Sequence, residues 1–586
     1  MSSSTPTHPA LAPRQGAGVL FRRLAQVVTP GKLLLVLCAA ITIWLAFVPL
    51  AALLYTAFAE DTPFGPGAFT LQNFADVLTD RHLPELFATS FIFAAGTAAV
   101  TLALGSLVAW VVERTDAPGR SFFHVCALMS FALPGLLTTM AWILIFSPNI
   151  GWLNGELKQW FGLTKSPVNI YSMGGMIWTL SSHYFPLVYL LMGPALRVLD
   201  TRMEEAAVMA GANSAQMTVR VSLPLLRPAI LSTILLLFIR GIESFEVPRL
   251  LGLPSRIFVL TTQIQSETSG SPPQFGLASA HGVMLLLICI LGVYFYRRAT
   301  KNAEAFATIT GKGYRPTLIQ LGRWRWPVFA AVLLMFVMTL GLPLFTLVWQ
   351  SFFRNVTLPS LSALGSMSLA SYDTILHYPI FLGAVKNSVM LGAMAATIVV
   401  LFTFMMAWVA HRSAKSYGWV LDALAFTPIA IPSVIMGASI LFAYLIIPIP
   451  VYNTVWILLI AYVTMNLPYG MRFLSSGLAQ IHKELEEAAQ MSGAGLFRTF
   501  GRVLLPLLSP VLLAAWLYIF VLAVRELSAS IFLSGPGTHV LGTISLTMWE
   551  EGGSFGAICA LGVVQIIPLT VIVMAMRWLE QKIGDR

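Results

Sequence analysis

Long apolar runs, separated by shorter polar segments, extend along most of this chain of 586 residues. In the first half they predict spans near 33–58, 86–112, 122–147, 172–199, 226–250 and 278–296. In the second half they predict spans near 327–353, 382–410, 419–447, 452–474, 508–533 and 556–580. Each run can cross a hydrocarbon core of about 30 Å as a helix, with its backbone groups bonded internally. The pattern therefore predicts an all-α polytopic membrane protein with about twelve transmembrane helices.

Four prolines fall inside these predicted spans, namely Pro49, Pro134, Pro343 and Pro432. Proline is tolerated in membrane helices where neighbouring helices satisfy the carbonyls that it frees. We therefore expect each of these spans to continue through its proline.

One polar segment interrupts the pattern twice. Residues 204–228 read EEAAVMAGANSAQMTVRVSLPLLRP, and residues 486–510 read EEAAQMSGAGLFRTFGRVLLPLLSP, 282 positions later and without a gap. Ala109-Trp110 likewise matches Ala407-Trp408 at an offset of 298, so the first copy carries an insertion around residues 149–172. A long shared pattern at one offset indicates an internal repeat. We predict two tandem six-helix repeats of the same topology, with a pathway between them.

The repeated polar segment predicts a compact surface knob. Thr201 and Glu204 fit a capping box that begins a helix, and Gly211 supplies a left-handed stop. Asn213 is expected to cap a second short helix that ends before Pro224. We call residues 200–228 and 480–510 the first and second knob. The alternative is an ordinary amphipathic loop.

The knobs resemble the cytoplasmic loop signature of importer-type ATP-binding cassette (ABC) permeases. That signature is Glu-Ala-Ala, three residues, Gly, nine residues, an aliphatic residue, one residue and Leu-Pro. The matching positions are Glu205, Ala206, Ala207, Gly211, Val221, Leu223 and Pro224, and again Glu487, Ala488, Ala489, Gly493, Val503, Leu505 and Pro506. Both copies carry valine where isoleucine is more common. Two copies in one chain resemble the fused permeases of the ferric-iron importer group, and hence a type I importer fold.

In that family the loop forms a coupling helix that sits in a cleft of a cytoplasmic ATPase. The resemblance therefore implies ATPase coupling by Glu204, Glu205, Ala206, Ala207 and Gly211, and by Glu486, Glu487, Ala488, Ala489 and Gly493. Glu205 and Glu487 are expected to make the polar contacts. The resemblance also implies two ABC ATPase copies and a periplasmic solute-binding protein as partners, with this chain in the bacterial inner membrane. Ferric iron is the first choice of cargo, and thiamine, polyamine or phosphonate-type solutes stay open.

Composition and charge agree with a membrane protein. The chain is 57% hydrophobic and 10% charged, whereas soluble proteins carry about 25% charged residues. Its net charge of +10 comes from particular loops, such as those with Arg114, Arg297 and Arg412, and forms no nucleic-acid groove. The positive-inside rule places both termini and both knobs in the cytoplasm. We predict a flexible cytoplasmic tail at 1–31, a permease repeat at 32–300, a basic cytoplasmic linker at 301–326 and a second repeat at 327–586.

No catalytic set is visible in the sequence. Gly311-Lys312-Gly313 lacks the rest of a phosphate-binding loop, and neither a GxSxG motif nor a zinc spacing is found. We expect no catalytic residue, metal or cofactor in this chain, with ATP–Mg bound by the partner ATPases. A secondary transporter driven by an ion gradient is the rival class, since it also uses about twelve spans in repeated halves. It does not explain two identical knobs.

A second constellation is expected near the outer part of span five. Arg240 and Glu243 are three residues apart, as are Glu246 and Arg249, so each pair is predicted to share a helix face. Ionisable groups within spans are costly and usually face a cavity or the bundle interior. They either line the pathway or hold helices together as an ion-pair network. The full candidate set is Arg240, Glu243, Glu246, Arg249, Arg525, Glu526, His183 and Asn466, the last two being alternatively interhelical hydrogen-bonding groups.

Overall fold

A computed structural model of the chain describes residues 30–62, 65–198, 201–300, 318–413 and 417–584. The predicted tail, both chain termini and most of the predicted linker lie outside these residues. The helices of the first half are α1 (Pro30–Ala57), α2 (Gln72–Thr79), α3 (Leu83–Arg114), α4 (Arg120–Ala132), α5 (Gly135–Phe146), α6 (Trp152–Phe161), α7 (Met173–Val198), α8 (Thr201–Met209), α9 (Ser214–Met217), α10 (Leu223–Ile242), α11 (Leu260–Ser269) and α12 (Phe275–Thr300). A two-stranded antiparallel hairpin, β1 (Ala59–Thr62) with β2 (Gly65–Phe69), follows α1.

The second half repeats this order. Its helices are α13 (Arg325–Phe336), α14 (Leu342–Ser351), α15 (Ala370–Leu376), α16 (Phe381–Trp408), α17 (Gly418–Phe426), α18 (Ser433–Ile446), α19 (Val455–Ala479), α20 (Glu484–Met491), α21 (Leu496–Thr499), α22 (Leu505–Val524), α23 (Ser530–Leu533), α24 (Leu541–Glu550) and α25 (Phe555–Gly584). Single π-helical turns precede α10, α14 and α22, at Thr218–Ser222, Val337–Gly341 and Phe500–Leu504.

Among the described residues, nine helices are long and apolar enough to cross a membrane, or up to eleven if two bent helix pairs each count as one span. The helix α7 takes the place of the predicted fourth span, although Ser181, Ser182 and His183 lower its mean hydropathy. Every predicted span thus has a helical counterpart. The all-α polytopic architecture of two six-helix repeats is confirmed.

The predicted third and ninth spans are bent, which corrects the expectation that they continue through their prolines. The axes of α4 and α5 differ by 101°, and those of the two helices around Pro432 by 102°. Pro134 and Pro432 precede α5 and α18 in extended conformations, with ψ of 134° and 142°. Proline also drives the residue before it out of the helical region, which explains the break. Pro49, in contrast, does lie inside α1.

Within each half the same helices pack together. In the first half α3 packs along α7 and α10, and in the second half α16 packs along α19 and α22. The first span of each half instead packs against both halves. The helix α1 packs on α12 of its own half and on α18 of the other, and α14 packs on α25 of its own half and on α5 of the other. A single buried apolar cluster accordingly joins Cys38 and Leu53 of α1 to Ile440 of α18. The two halves therefore both contact each first span and pack around a common centre.

The insertion of the first repeat folds as α6 and a loop that returns to α7. Asn154 is fully buried there and ties the loop to the end of α5. Its side-chain amide donates hydrogen bonds to the carbonyls of Phe146, at 2.8 Å, and Val168, at 2.7 Å. This segment lies at the end of the bundle away from the knobs, which we call the far side.

Candidate functional site

Both knobs turn on a glycine, as the sequence predicts. The helices α8 and α20 end before Gly211 and Gly493, whose φ angles are +85° and +79°. The Ala212 amide then bonds the Ala207 carbonyl at 3.0 Å, and Ala494 bonds Ala489 in the same way at 3.0 Å. This six-residue closure is the usual left-handed helix end, which a side chain at the glycine would strain.

The return from the knob into the membrane differs from the prediction. The second short helix does not end before Pro224; α9, the π-helical turn and α10 form one continuous helical segment. Asn213 caps its start, because its side-chain oxygen accepts the Gln216 amide at 2.8 Å. The π-helical turn uses longer-range backbone bonds, which accommodates the missing amide of the following proline. The second knob enters α22 through the same arrangement.

Glu204 does not serve the predicted capping box. It is only 6% exposed, and its carboxylate forms an ion pair with Arg114 at the end of α3. The hydroxyl of Ser222 donates a hydrogen bond to the other carboxylate oxygen, at 2.5 Å. A buried carboxylate needs such partners, and Arg114 and Ser222 hold the carboxylate of Glu204 in an inward-facing position. Glu204 therefore faces inward beneath the exposed surface of the knob.

Glu486 occupies the same position in the second half and is 4% exposed. Its carboxylate accepts hydrogen bonds from Arg412 Nε, at 2.8 Å, and Trp408 Nε1, at 3.0 Å. Arg412 also donates to two carbonyls, that of Leu478 in the last turn of α19 at 3.2 Å and that of Ile481 just after this helix at 2.5 Å. We call Arg114 with Glu204 the first joint, and Arg412 with Glu486 the second joint.

The two joints use equivalent residues. Arg114 and Arg412 are related by the offset of 298, and each lies at the knob-side end of a long helix. Arg114 donates to the Leu196 carbonyl at 3.5 Å, and Leu196 is the counterpart of Leu478 at the offset of 282. Each arginine therefore connects three elements: its own helix, the end of α7 or α19, and the first turn of the knob.

The outer face of each knob is accessible. Met209 and Met491, at equivalent positions, are each 89% exposed. Glu487 is exposed and forms an ion pair with Lys483 at 2.6 Å, whereas the side chain of Glu205 lies outside the described part of the structure. Ala206 and Ala488 are exposed, and Ala207 and Ala489 are half-buried. Glu204 and Glu486 are thus the buried members of the predicted coupling set. The other members whose side chains are described are exposed or half-buried and could contact a partner.

A cavity of about 530 Å³ lies between the two halves. The predicted residues that line it are Arg240, Glu243, Glu246, Arg525, Glu526 and His183. Asn466 lines a smaller adjoining cavity of about 140 Å³. The larger cavity reaches Leu191 on α7, which is seven residues, or roughly 10 Å along the helix, from the knob-side end. The cavity thus extends from the centre of the bundle towards the knobs.

Several cavity groups are linked across the halves. Arg240 pairs with Glu243 at 2.5 Å and donates to the hydroxyl of Tyr469, from the second half, at 2.9 Å. Arg525 interacts electrostatically with Glu246 and Glu526. The Arg240–Glu243 pair is therefore formed as predicted, and the cluster has both a cavity-lining position and an ion-pair network.

Arg249 stands apart from the cavity and corrects the predicted Glu246–Arg249 pair. The helix α10 ends at Ile242, and both residues lie in the next short helical segment, which contains a π-helical turn at Pro248–Gly252. The wider π-helical turn changes the angle between the two side chains, so a spacing of three residues does not bring them together as in an α-helix. Arg249 instead pairs with Glu550 of the second half at 2.7 Å and donates to Gln265 at 2.7 Å, on the far side. Glu246 turns inward and lies against Gly135, where a β-carbon would overlap its carboxylate.

His183 and Asn466 have different surroundings. The Nδ1 atom of His183 is buried and has no hydrogen-bond partner among the described residues. Asn466 donates to the Tyr462 carbonyl one turn earlier in its own helix, at 2.8 Å. Asn466 therefore has a local structural bond, whereas His183 is open to a polar partner in the cavity.

Sequence reasoning missed three cavity residues on or near α19 and both joint arginines. Tyr469, Arg472 and Tyr518 line the cavity. Tyr469 and Arg472 follow Asn466 at spacings of three, which places all three on one helix face. Arg114 and Arg412 were counted only as loop charges, although the repeat alone aligns them. No group of three or more His, Cys, Asp or Glu that could hold a metal occurs within the described ranges.

Several permease proteins of known transport systems are similar to this chain. The chain is 24% identical over 544 residues to the ferric transport system permease protein FbpB of Actinobacillus pleuropneumoniae, covering 92% of this chain and 76% of that protein. It is 26% identical over 285 residues to the trehalose/maltose transport system permease protein MalG of Thermococcus litoralis, covering 47% of this chain and 96% of that one. A solved bacterial ABC transporter for alginate import aligns with a TM-score of 0.36 and 18% identity over 44% of this chain and 97% of its own.

A family model covers most of both halves. It matches residues 101–304 and 400–585, and its description is binding-protein-dependent transport system inner membrane component. The two matches contain the two knobs, both joints and all the cavity-lining residues singled out above. The chain therefore belongs to the family of binding-protein-dependent transport system inner membrane components and is a fused, two-repeat ABC importer permease.

Proposed function

We propose that two cytoplasmic ABC ATPase subunits dock on the two knobs and that a periplasmic binding protein delivers the cargo on the far side. The observation that carries this proposal is the duplicated knob, which presents the same turn and the same exposed methionine twice. ATP–Mg is bound and hydrolysed by the partner subunits. The chain itself supplies the pathway and no catalytic residue.

The proposed coupling is mechanical and uses a continuous helix in each half. The segment from Ser214 to Arg240 is helical throughout and spans about 40 Å. It begins in the first knob and ends at an arginine that lines the cavity. In the second half the corresponding helix ends beside Arg525, which also lines the cavity. Closure of the ATPase dimer would therefore move the cavity walls through both helices.

The cavity supports alternating access in this importer. Its lining extends towards the knobs, which makes the described conformation one that faces the cytoplasm if the knobs are cytoplasmic. On the far side, the Arg249–Glu550 ion pair connects the two halves. We infer that this pair belongs to the outer gate and that the cluster around Arg240 and Arg525 belongs to the pathway.

Ferric iron is the cargo that we propose first. Support comes from the ferric transport permeases among the relatives and from the carboxylate and phenol oxygens in the cavity, which suit a hard cation. Three arginines balance the three glutamates there, so iron would pass as a weakly held cargo, without a fixed chelate. Thiamine, polyamine and phosphonate-type solutes are the alternatives of the same architecture.

The proposed location is the bacterial inner membrane, with both knobs and both termini in the cytoplasm. Basic residues on the knob-side ends support this orientation, including Arg197, Arg297 and Arg298. Thiol labelling of single cysteines placed at Gly211 and Gly493 in intact cells tests it, because cytoplasmic knobs resist an impermeant reagent. Labelling of both positions in intact cells would overturn the orientation.

Co-purification and vesicle uptake test the function itself. We expect the chain to capture an ABC ATPase and to support uptake of labelled ferric iron that requires ATP and the binding protein. Replacing Glu205 and Glu487 with alanine should abolish ATPase capture and uptake while leaving the spans inserted. As a control, Asp76→Ala with Asp373→Ala removes one exposed acid from each half on the far side and should leave ATPase capture intact. Uptake that survives without ATP and depends on an ion gradient would identify a secondary transporter instead.

A further inference from the structure

The joints have a feature that docking alone does not explain. Both are largely buried ion pairs, and the carboxylates of both face inward beneath the exposed surface of the knobs. Burying two charges is costly, and an apolar contact of similar volume is often at least as stable. A charged link retained at the same place in both halves therefore points to a need for one fixed geometry.

The geometry connects each knob to helices that line the cavity. The guanidinium of Arg412 binds the carboxylate of Glu486 at 2.8 Å, the carbonyl of Leu478 in the last turn of α19 at 3.2 Å and the carbonyl of Ile481 just after this helix at 2.5 Å. Tyr469 and Arg472 of the same helix line the cavity. In the first half, Arg114 binds Glu204 and the carbonyl of Leu196 near the end of α7. Each knob thus reaches the cavity by two routes, the continuous helix and the joint.

The second route matters because a single helix can pivot. The knob joins its continuous helix through a glycine turn and a π-helical turn, both of which are places where direction can change. A link from the knob to the end of α7 or α19 removes that freedom. Movement of the knob then has to displace two helices of the cavity wall together.

We propose that Arg114 and Arg412 are positioning residues that clamp each knob at a fixed angle, so that ATPase movement displaces α7 and α19. Glu204 and Glu486 are the knob-side halves of these clamps. This inference rests on the proposed function. It assigns to the first glutamate of each Glu-Glu-Ala-Ala sequence an internal, transmitting role, separate from the ATPase-contacting role proposed for Glu205 and Glu487.

The test compares docking with coupling in the full complex in proteoliposomes. Glu204→Gln and Glu486→Gln keep the side-chain shape and remove the charge. We expect each variant to retain the ATPase on purification but to transport at least about fivefold less cargo per ATP hydrolysed, as for a typical coupling free energy. The readout is the ratio of cargo transported to phosphate released, which a merely weaker expression level does not alter.

Two further variants keep the test decisive. Glu267→Gln also neutralises a buried carboxylate, paired with His281 at 3.0 Å on the far side, and should leave the ratio unchanged. Arg412→Lys keeps the charge but loses the planar fork that reaches two carbonyls, so it should fold and give an intermediate ratio.

Three outcomes would overturn the clamp: an unchanged ratio in both joint variants, an equal drop in the Glu267→Gln control, or loss of ATPase capture together with coupling. If the unaltered chain never captures an ATPase, the proposed function fails rather than the clamp alone.

Discussion

In the first knob Glu204 accepts hydrogen bonds from Arg114 and Ser222, whereas in the second knob Glu486 accepts them from Arg412 and Trp408. The additional donor comes from the returning helix in one half and from the long helix in the other. The residue equivalent to Ser222 is Leu504. The arginine and the carboxylate are therefore the constant parts of the joint, while the additional hydrogen-bond donor comes from a different element in each half.

The surroundings of the joints differ more. In the first half Glu113 and Arg197 form a second, two-pronged ion pair at 2.6 and 2.8 Å, which ties α3 to α7. Their equivalents are His411 and Ala479, and the Nε2 atom of His411 is buried without a hydrogen-bond partner among the described residues. The side chain of Arg114 is 2% exposed and that of Arg412 is 14% exposed. The arginine of the first joint is therefore the more deeply buried, whereas the two carboxylates are buried to a similar extent. The additional ion pair between α3 and α7 is found beside the first joint.

The largest expected difference in stability between the two halves concerns substitutions of Arg114 and Arg412. Arg114→Gln should lower the free energy of unfolding by about 3–5 kcal/mol, because it leaves a buried carboxylate without its counter-charge. Arg412→Gln should cost less, because residue 412 is partly exposed and water can reach the unpaired carboxylate through that position. Thermal unfolding of both variants in the same detergent measures the order, and equal losses would contradict the effect of burial.

The extra donors should matter less and to a similar extent. Ser222→Ala and Trp408→Phe each remove one hydrogen bond to a charged carboxylate, which is worth about 1.5–3 kcal/mol. We expect comparable decreases in stability with the joint arginines unchanged. Ser232→Ala, whose hydroxyl bonds a carbonyl within its own helix at 3.0 Å, is the matched control for the serine. An unchanged stability of the Ser222→Ala variant would show that this hydrogen-bond donor is dispensable.

The glycine turns should respond equally, because their backbone is the same in both halves. Gly211→Ala and Gly493→Ala place a β-carbon on a left-handed residue, which costs about 1–2 kcal/mol. Among the described residues no atom lies within 4 Å of the added carbon at either site, so the expected cost is backbone strain. Gly365→Ala, also in open space and without a positive φ, is the control. Unequal effects on stability would show that the turns are not equivalent.

The smallest expected effect comes from introducing into the second half an ion pair equivalent to that of Glu113 and Arg197. His411→Glu with Ala479→Arg rebuilds in the second half the pair that Glu113 and Arg197 form in the first. Because one partner is largely exposed, the gain should be at most about 1 kcal/mol. His411→Glu alone should destabilise, since it buries an unpaired charge. A double-mutant cycle measures the coupling, and no favourable coupling would mean that the two halves place these helix ends differently.

Local features of the sequence predicted much of this structure. Apolar runs of sufficient length become spans wherever the bilayer excludes water, and this holds for both halves. The left-handed stop at Gly211 depends on the absence of a β-carbon, and the Asn213 cap on a side chain next to its own helix. The internal repeat revealed the knobs before any contact was known. The family resemblance added the class of transporter, which the family match confirms.

Other features depended on contacts between distant segments. Arg114 was counted as a positive loop charge, but it is buried against a carboxylate 90 residues away. The three-residue spacing of Glu246 and Arg249 does not form a pair, because the segment that holds both contains a π-helical turn. Arg249 instead pairs with a residue 301 positions away. The bends at Pro134 and Pro432 likewise separate helices that hydropathy alone joins.

The sequence by itself determined which segments are helical, how often they repeat and where the knobs turn, because these follow from properties within a few residues. Only the tertiary structure decided which charges meet, because pairing depends on where each helix ends and on which helices cross. Arg240 joins Tyr469 across 229 residues only because the two halves clasp each other around a shared cavity. A buried charge takes the partner that packing brings within reach, and sequence spacing constrains that choice only inside one unbroken helix.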